Sequence, residues 1–334
     1  GSFSSDPDHP YVRMKEFKEL VACLHRNHLR VTLDVVFNHV YDVAETAFDC
    51  LVPYYYFRYN EEGYMSNGSY CGNDFASEMP MASRYLVYVI RSLMQIYGID
   101  GFRFDLMGII DVATMNKIRN EAIRNNPSAL IYGEGWDMPT MLQGSQKANI
   151  HNQGAMPHIG HFNDYFRDVI KGKTSESEKY ERGYATGKWE NAFASLAGLT
   201  ANVLDTPHYK RFFSPDQSIN GFETHDNSTV WDKMHACCNN EDRATRIRRQ
   251  KMMIAITMVS QGIPFVHAGF EFCDTKKDNH NSYNAPDEIN RMDWERMEYY
   301  QEVVKYFRKA TALRRSVSEF CLKTALEINE KVKV

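Results

Sequence analysis

The sequence lacks the marks of several large classes of protein. Its seven cysteines are scattered and odd in number, and none of them forms a CxxC or Cys/His spacing that would hold zinc. Its 39 Lys and Arg residues are outnumbered by 43 Asp and Glu residues, so no basic field is available to gather phosphates. The longest apolar run, near residues 254–259, is too short to span a bilayer. We therefore expect neither a nucleic-acid partner nor a membrane span.

The cysteine pattern also bears on the compartment. Cys50 and Cys71 flank one aromatic loop and could bridge, but spacing alone does not establish a disulfide, so we expect mostly free thiols. Free thiols favour a reducing compartment. The chain has no secretory leader at Gly1, and both a cytoplasmic and a secreted or periplasmic location stay open. No internal repeat is present, and a hydrophobic content of 43% predicts a globular protein.

Helical and strand-like patterns alternate along the chain. Apolar side chains recur at helical spacing in 15–27, 84–97, 111–125, 241–259 and 299–314. Short runs rich in apolar, β-branched or aromatic residues lie between these helical patterns or beside them. The candidate strands are 30–37, 101–106, 130–134, 159–163, 219–223 and 263–268. This alternation predicts an α/β fold with a parallel sheet.

Four segments place an acidic residue at the end of a strand-like apolar run. The segments are LDVVFNH, GFRFDL, YGEGW and FETHDN, and their acids are Asp34, Asp105, Glu134 and Asp226. Burying an ionised carboxylate among apolar residues is costly unless a partner or a function offsets the cost. Since catalytic residues of (β/α) barrels come from the ends of several strands, this order predicts a carboxylate-based active site.

Each of these residues, taken alone, also has a structural interpretation. Arg103 lies two positions before Asp105, so both side chains face the same side of a strand, and such a pair is often only a structural ion pair. Asp34 could anchor Arg103 or a loop as readily as it could touch a substrate. A histidine in an NH or HD pair more often satisfies hydrogen bonds than catalyses, and a single tryptophan is more often core. The coincidence of four acids at strand ends favours function.

The motifs DVVFNH, GFRFDLMG, GEG and THDN together resemble the four signature regions of the α-amylase superfamily of glycoside hydrolases, in the same order. The segments GEGW, GNDFASE, HFNDYFRD and NSYNAPD are similar to type I pullulanases, the debranching enzymes of that superfamily. The likeness runs from about Gly1 to Val334. It implies a (β/α)8 barrel of the TIM type, an α-glucan substrate and an active site at the carboxyl ends of the strands.

The resemblance assigns roles residue by residue. Asp105 matches the nucleophile, Glu134 the general acid/base, and Asp226 the carboxylate that holds sugar hydroxyls in the transition state. Retention of configuration needs the first two carboxyl groups about 5 Å apart, one ionised and one protonated. We expect the guanidinium two positions before Asp105 to keep it ionised, and the surroundings of Glu134 to raise the pKa of that carboxyl toward the working pH. The residues matched to substrate binding are Asp34, His39, Arg103, Trp136 and His225.

The implied function is hydrolysis of α-1,6-glucosidic branches in pullulan, α-limit dextrins or starch by a retaining double displacement. Two alternatives stay open. One is another α-glucan specificity, such as α-1,4 cleavage, because loop shape rather than the shared acids sets the linkage that is cut. The other is a catalytically silent, glycan-binding barrel. We expect no required cofactor and assign no metal ligands, although calcium could bind at oxygen donors such as Asn38 and Asp74.

The pattern departs from the family in the number of strands. Six are expected, corresponding to barrel strands three to eight, so 1–334 is expected to be a partial catalytic barrel without the first two strands and the flanking β-sandwich modules. Long loops are expected at 40–83, after strand three, and at 137–158, after strand five. An open barrel exposes two strand edges, so we expect self-association through them and little hydrolytic activity of this segment alone. Phe270 in HAGFEF replaces an expected second acid, a departure that affects no catalytic residue.

Overall fold

Six strands form a parallel sheet in the computed structural model, which describes residues 4–206 and 208–333. Their order in the sheet is the order of the chain, from β1 to β6. Parallel pairing in sequence order confirms the α/β class predicted from the alternating pattern. The strands are β1 (Thr32–Val35), β2 (Gly101–Phe104), β3 (Leu130–Gly133), β4 (Gly160–Phe162), β5 (Ser218–Asn220) and β6 (Ile263–Pro264).

α-Helices lie in the connections between successive strands, as is usual for parallel pairing, except between β3 and β4, where the connection contains only short 3-10 helices. The five predicted helices are present, although the first begins at Pro10 rather than at residue 15, because proline suits the first turn of a helix. Gly98, with φ 73°, ends the second of the predicted helices. The α-helices are α1 (Pro10–Arg26), α2 (Ala47–Leu51), α3 (Pro80–Tyr97), α4 (Val112–Asn125), α5 (Asp164–Ile170), α6 (Ala192–Leu199), α7 (Val230–Cys237), α8 (Arg243–Val259), α9 (Asp287–Asn290), α10 (Glu295–Tyr299), α11 (Gln301–Ser316) and α12 (Ala325–Lys331).

The strands are shorter than the apolar runs that predicted them. Each residue of β1 pairs with one of β2, from Thr32 opposite Gly101 to Val35 opposite Phe104. Val36 and Phe37, although apolar, lie beyond this ladder in the following loop. Apolarity therefore locates a strand, whereas the extent of pairing with its neighbours sets its ends. One consequence corrects a prediction, because Asp34 lies inside β1 rather than at its end.

The chain divides into two compact units, of which the first is 1–161. Its core lies between the sheet and helices α3 and α4, where Ile90, Phe102, Phe104 and Ile118 are fully buried. The loop predicted at 40–83 contains α2 and ends where α3 begins, and its aromatic residues join this core. Phe48 contacts Phe57 and Phe75 edge to face.

The second unit is 162–334. Its core is formed by residues of α5, α7, α8 and α11 together with the loop after β6, and it includes Phe166, Met234, Ile254, Phe272 and Val303. Phe166 stacks on Phe222 at a centroid distance of 4.9 Å. The short helices α5, α6, α7 and α12 were not predicted from the sequence. Their apolar faces are too short to show a helical period.

All seven cysteines are free thiols, as predicted. Among residues 4–206 and 208–333, none of the helices has the length and apolar character needed to cross a bilayer.

The start of α4 gives a test of the fold. The Asp111 carboxylate accepts hydrogen bonds from Thr114 N at 2.9 Å and from Ser77 Oγ at 2.8 Å, and the residue is 5% exposed. We expect Asp111→Ala to lower the free energy of unfolding by about 2 kcal/mol, because it removes a cap and leaves a buried hydroxyl unsatisfied. Asp42→Ala, which removes an exposed cap in the same unit, should cost about 0.5 kcal/mol. Urea unfolding of both variants checks this, and equal losses would contradict it.

Candidate active site at the carboxyl ends of the strands

One guanidinium connects three of the predicted acids. Arg103 lies in the central strand of the β1–β2–β3 group, and its side chain is 7% exposed. Its Nη1 contacts Asp34 Oδ1 at 2.9 Å and Asp105 Oδ1 at 3.2 Å, and its Nη2 contacts Glu134 Oε1 at 2.8 Å. Asp34 is thus the anchor of Arg103 that one interpretation predicted. Asp105 and Glu134 therefore contact the same guanidinium, each at a different terminal nitrogen atom.

The backbone places these two acids at equivalent points of neighbouring strands. Asp105 and Glu134 each directly follow the last residue of a strand, as predicted. Asp105 N donates to Val35 O at 3.1 Å, and Glu134 N donates to Phe104 O at 3.0 Å, so the ladder continues to the acids. Glu134 Oε2 also accepts a hydrogen bond from Leu106 N at 3.1 Å. The position of both carboxylates is therefore fixed by the sheet.

The two glycines of the GEG motif are required by close approach of neighbouring atoms. A Cβ at position 133 would lie 2.5 Å from Phe104 O, and a Cβ at position 135 would lie 2.2 Å from Nδ1 of His161. His161 is fully buried in β4, and burial lowers its pKa to about 3, so the ring is neutral. Larger residues at either position would push Glu134 away from Arg103.

Asn38, predicted only as a possible calcium donor, belongs to the same cluster. It is fully buried, and its Nδ2 donates to the carbonyl oxygen of Asp105 at 2.7 Å and to its Oδ2 at 2.9 Å. Its Oδ1 lies within hydrogen-bond distance of Nδ1 of the half-buried His39. The sequence feature that could have indicated this role is the position of the asparagine in the NH pair after β1. Asp74, the other suggested calcium donor, accepts hydrogen bonds from Ser66 Oγ and the backbone of 68–69.

Arg103 remains charged in this environment. Burial acts to lower its pKa, but the charges of Glu134, Asp34 and Asp105 outweigh burial and hold the pKa of Arg103 above its usual value. Burial raises the pKa of Tyr132, the residue of β3 that pairs with Arg103. The predicted difference in protonation between Asp105 and Glu134 stays a prediction. Trp136, two residues after Glu134, is half-buried rather than core.

The remaining predicted residues, His225 and Asp226, belong to the second unit. They lie on the loop between β5 and α7, and their side chains are 58% and 47% exposed. Asp226 is therefore not a buried acid, which corrects the premise drawn from its apolar neighbours, and the same holds for Asp34, whose side chain is 52% exposed. His225 Nε2 lies 3.4 Å from Asp226 Oδ2.

Two buried ionisable residues anchor this loop, and neither was predicted from the sequence. Lys171 Nζ donates to the carbonyl of Phe222, and a carboxylate oxygen of Glu223 accepts the backbone N–H of Val230, the first residue of α7. Lys171 is 1% exposed and Glu223 is 6% exposed. The Glu223 contact joins the two ends of segment 223–230. The loop that carries Asp226 is thus held at its base by hydrogen bonds of two buried ionisable residues.

One group of side chains in the described part of the chain has a geometry suited to a metal ion. Ligand atoms of Asp232, His235 and Asp278 lie within 4.8 Å of one another. Asp232 is buried and already accepts hydrogen bonds from Thr275 Oγ1 and from Lys276 N. None of these three residues was predicted as a metal ligand from the sequence.

Comparisons with known sequences show which proteins this chain is similar to. No protein-family model matches the chain. The chain is 42% identical over 328 residues to the pullulanase of Bacillus subtilis (strain 168), an alignment that covers 98% of this chain and 45% of that protein. It is 31% identical to the chloroplastic pullulanase 1 of Arabidopsis thaliana, covering 88% of this chain and 36% of that protein. The chain therefore spans less than half the length of these relatives.

Solved structures agree with the sequences. The type I pullulanase of Bacillus subtilis str. 168, complexed with maltose, matches with a TM-score of 0.97 at 41% identity, covering 99% of this chain and 46% of that one. The pullulanase of Anoxybacillus sp. LM18-11, complexed with maltotriose, matches with a TM-score of 0.95 at 43% identity, covering 99% and 46%. The chain is homologous to glycoside hydrolases of the amylase type. Within that class, its homologues are the type I pullulanases, as the resemblance implied.

The contacts of Arg103 predict a stability effect. Arg103→Met would leave Asp34, Asp105 and Glu134 without their shared cation, and breaking a mostly buried ion pair from one side costs about 3 kcal/mol. We expect a loss of that size in the free energy of unfolding, measured with urea. Lys15→Met, which breaks the solvent-exposed pair with Glu19 on α1, should leave the free energy of unfolding close to that of the wild type. Equal losses for the two variants would contradict the central role of Arg103.

The Lys171 anchor predicts a dependence of stability on pH. Burial, with a smaller effect from Arg167, lowers the pKa of Lys171 to about 7 from a usual 10.5. Between these values the unfolded chain binds a proton that the folded chain has released, so the free energy of unfolding rises with pH. We expect the stability of the wild type relative to Lys171→Met to increase by about 1.4 kcal/mol per pH unit from pH 7.5 to 9.5.

Urea titrations at each pH measure this difference. The control is Lys305→Met, which removes an exposed lysine of the same unit and should leave the difference from wild type constant over the interval. A difference between wild type and Lys171→Met that stays constant would show that Lys171 keeps its ordinary ionisation in the folded protein.

Proposed function

We propose that this chain carries the catalytic machinery of an α-glucan debranching hydrolase, which cleaves α-1,6-glucosidic linkages in pullulan, α-limit dextrins or starch with retention of configuration. The observation that carries the proposal is the pair of carboxylates, Asp105 and Glu134, that end adjacent parallel strands and contact one guanidinium. A retaining glycosidase needs two carboxyl groups at close range in different roles. Homology to type I pullulanases supports the linkage and the substrate class.

Asp105 acts in this proposal as the nucleophile. Its contacts with Arg103 and Asn38 hold the carboxylate in place and leave its side chain 25% exposed, so that a sugar carbon can approach it. The carboxylate forms a bond to the anomeric carbon as the bond to the leaving oxygen breaks. Water then attacks the same carbon from the face that the leaving group vacated, which restores the original configuration.

Glu134 acts as general acid and then as general base. It protonates the leaving oxygen in the first step and takes a proton from water in the second. An ion pair with Arg103 favours the ionised form, so we propose that the bound sugar takes the place of this contact and that Glu134 then carries its proton in a water-poor pocket.

The other predicted residues complete the proposed site. Asp226 holds sugar hydroxyls in the transition state, His39 and His225 donate hydrogen bonds to the sugar ring, and Trp136 packs against the ring beside Glu134. Asp34 acts through Arg103. The relatives complexed with maltose and maltotriose support an α-glucan ligand.

The fold assigned to the whole active protein is also a proposal. The six parallel strands belong in it to a (β/α)8 barrel, with the loops within 40–83 and 137–158 at the rim of the site. No cofactor takes part in the proposed reaction. The seven free thiols support a reducing compartment.

Substitution of the acids tests the proposal. In the protein that carries this chain, we expect Asp105→Asn, Glu134→Gln and Asp226→Asn each to lower the turnover of pullulan by at least about 1000-fold, because each removes a group needed only in the transition state. Binding of maltotriose, measured by calorimetry, should remain for Asp105→Asn. Chromatography should identify maltotriose as the product of pullulan, which α-1,6 cleavage releases.

The matched control is Asp137→Asn, an exposed acid that pairs with Lys147 on the loop after Glu134. Its turnover should stay within about threefold of wild type. Panose as the product would assign α-1,4 cleavage instead. Maltotriose binding with no turnover by the unsubstituted protein would assign a silent glycan-binding role.

A further inference from the structure

Two adjacent cysteines at the end of α7 form a thiol pair that the proposed function does not use. Cys237 is the last residue of the helix and Cys238 follows it, and their Sγ atoms lie 3.7 Å apart. Cys238 is fully buried, whereas Cys237 is 6% exposed. Both residues are buried, and Cys237 is the one of the two that lies nearer to solvent.

The surroundings of the pair are electropositive. Arg182 Nε donates to the carbonyl oxygen of Cys237 at 2.8 Å. Lys233 lies one helical turn earlier on α7, and its ammonium donates to the carbonyls of Lys173, Glu178 and Lys179. Positive charge beside a thiol favours the thiolate, which is the reactive form. The hydrogen bond with Cys238, together with these charges, lowers the pKa of Cys237 below its usual value.

Cys273 is a buried thiol of the same unit that lacks an adjacent cysteine. It is 1% exposed, and burial raises its pKa well above the usual range. It has the burial of the pair without an adjacent thiol. Cys273 therefore serves as an internal reference for an inert cysteine.

We propose that Cys237 and Cys238 are an oxidation site at which hydrogen peroxide joins the two side chains in a reversible disulfide. The Cys237 thiolate attacks one peroxide oxygen, the O–O bond breaks, and the released hydroxide takes up a proton and leaves as water. The sulfur is now a sulfenic acid. The Cys238 sulfur attacks it, the S–O bond breaks as the S–S bond forms, and the hydroxyl leaves with the Cys238 proton as a second water. The two thiols lose two electrons, and the peroxide gains them.

The geometry makes this disulfide accessible and also easily reduced. Forming it requires the sulfur atoms to approach from 3.7 Å to about 2 Å, through rotation of both side chains together with a local adjustment of the backbone between them. Adjacent Cα atoms are about 3.8 Å apart across a trans peptide, below the range of about 4.4–6.8 Å that unstrained disulfides span. A strained disulfide returns to thiols readily, so the modification is reversible.

Mass spectrometry of the whole chain tests the proposal. The reduced protein is treated with hydrogen peroxide, and unreacted thiols are alkylated under denaturing conditions. The protein is then digested, and the mass of the peptide that contains both cysteines is measured. We expect this peptide to lose two hydrogens and take up no alkylating agent, and to recover both thiols after dithiothreitol. Cys273 should stay fully alkylated. In Cys238→Ser, which lacks the second sulfur, Cys237 should instead proceed to sulfinic acid.

Rates separate the two sulfurs. Cys237→Ser should slow peroxide consumption at this peptide by at least about tenfold, because the buried Cys238 lacks the accessible thiolate. The exposed Cys23 reports whether peroxide acted at all. The proposal is overturned if both cysteines remain alkylated under conditions that oxidise Cys23, if wild-type Cys237 ends as sulfinic acid beside a free Cys238, or if either sulfur pairs with a different cysteine.

Discussion

The contacts of Arg103 are the interaction on which the candidate site depends. Three carboxylates lie within 3.2 Å of one guanidinium, and without it their negative charges would repel one another at the edge of an apolar core. Arg103 itself is held in β2, opposite Asp34 in β1 and Tyr132 in β3. The register of the three strands therefore decides which acids meet, so that the fold and the site are stabilised by the same contacts.

The main chain around the cluster leaves little room for variation. Glu134 receives its position from a ladder hydrogen bond to Phe104 and from glycines on both sides, each of which lies too close to a neighbouring atom to accept a Cβ. Asn38 holds the other acid through two hydrogen bonds. Groups that are held this rigidly need little reorganisation when charge develops on a bound substrate, which is the condition for electrostatic catalysis.

Much of the first unit could be predicted from the sequence. Apolar runs located β2 and β3, and the position of Asp105 and Glu134 directly after them followed from the chain itself. The contacts of Arg103 with Glu134 could not be predicted, because they depend on the pairing of β2 with β3. The exposure of Asp34 and the burial of Asn38 could not be predicted either. The sequence pattern does not indicate which way a polar side chain next to an apolar run points.

The loop that carries Asp226 shows a second way to fix a polar residue. It has no ladder at its tip, and its side chains there are about half exposed, so its conformation is set at its base by Lys171 and Glu223. Burying two polar, ionisable groups carries a desolvation cost that an apolar base would avoid. Their hydrogen bonds to the backbone of Phe222 and Val230 fix the two ends of the loop in a way that apolar contacts, which have no direction, cannot. A fixed base of this kind lets an exposed carboxylate keep one position while it remains accessible to solvent and ligand.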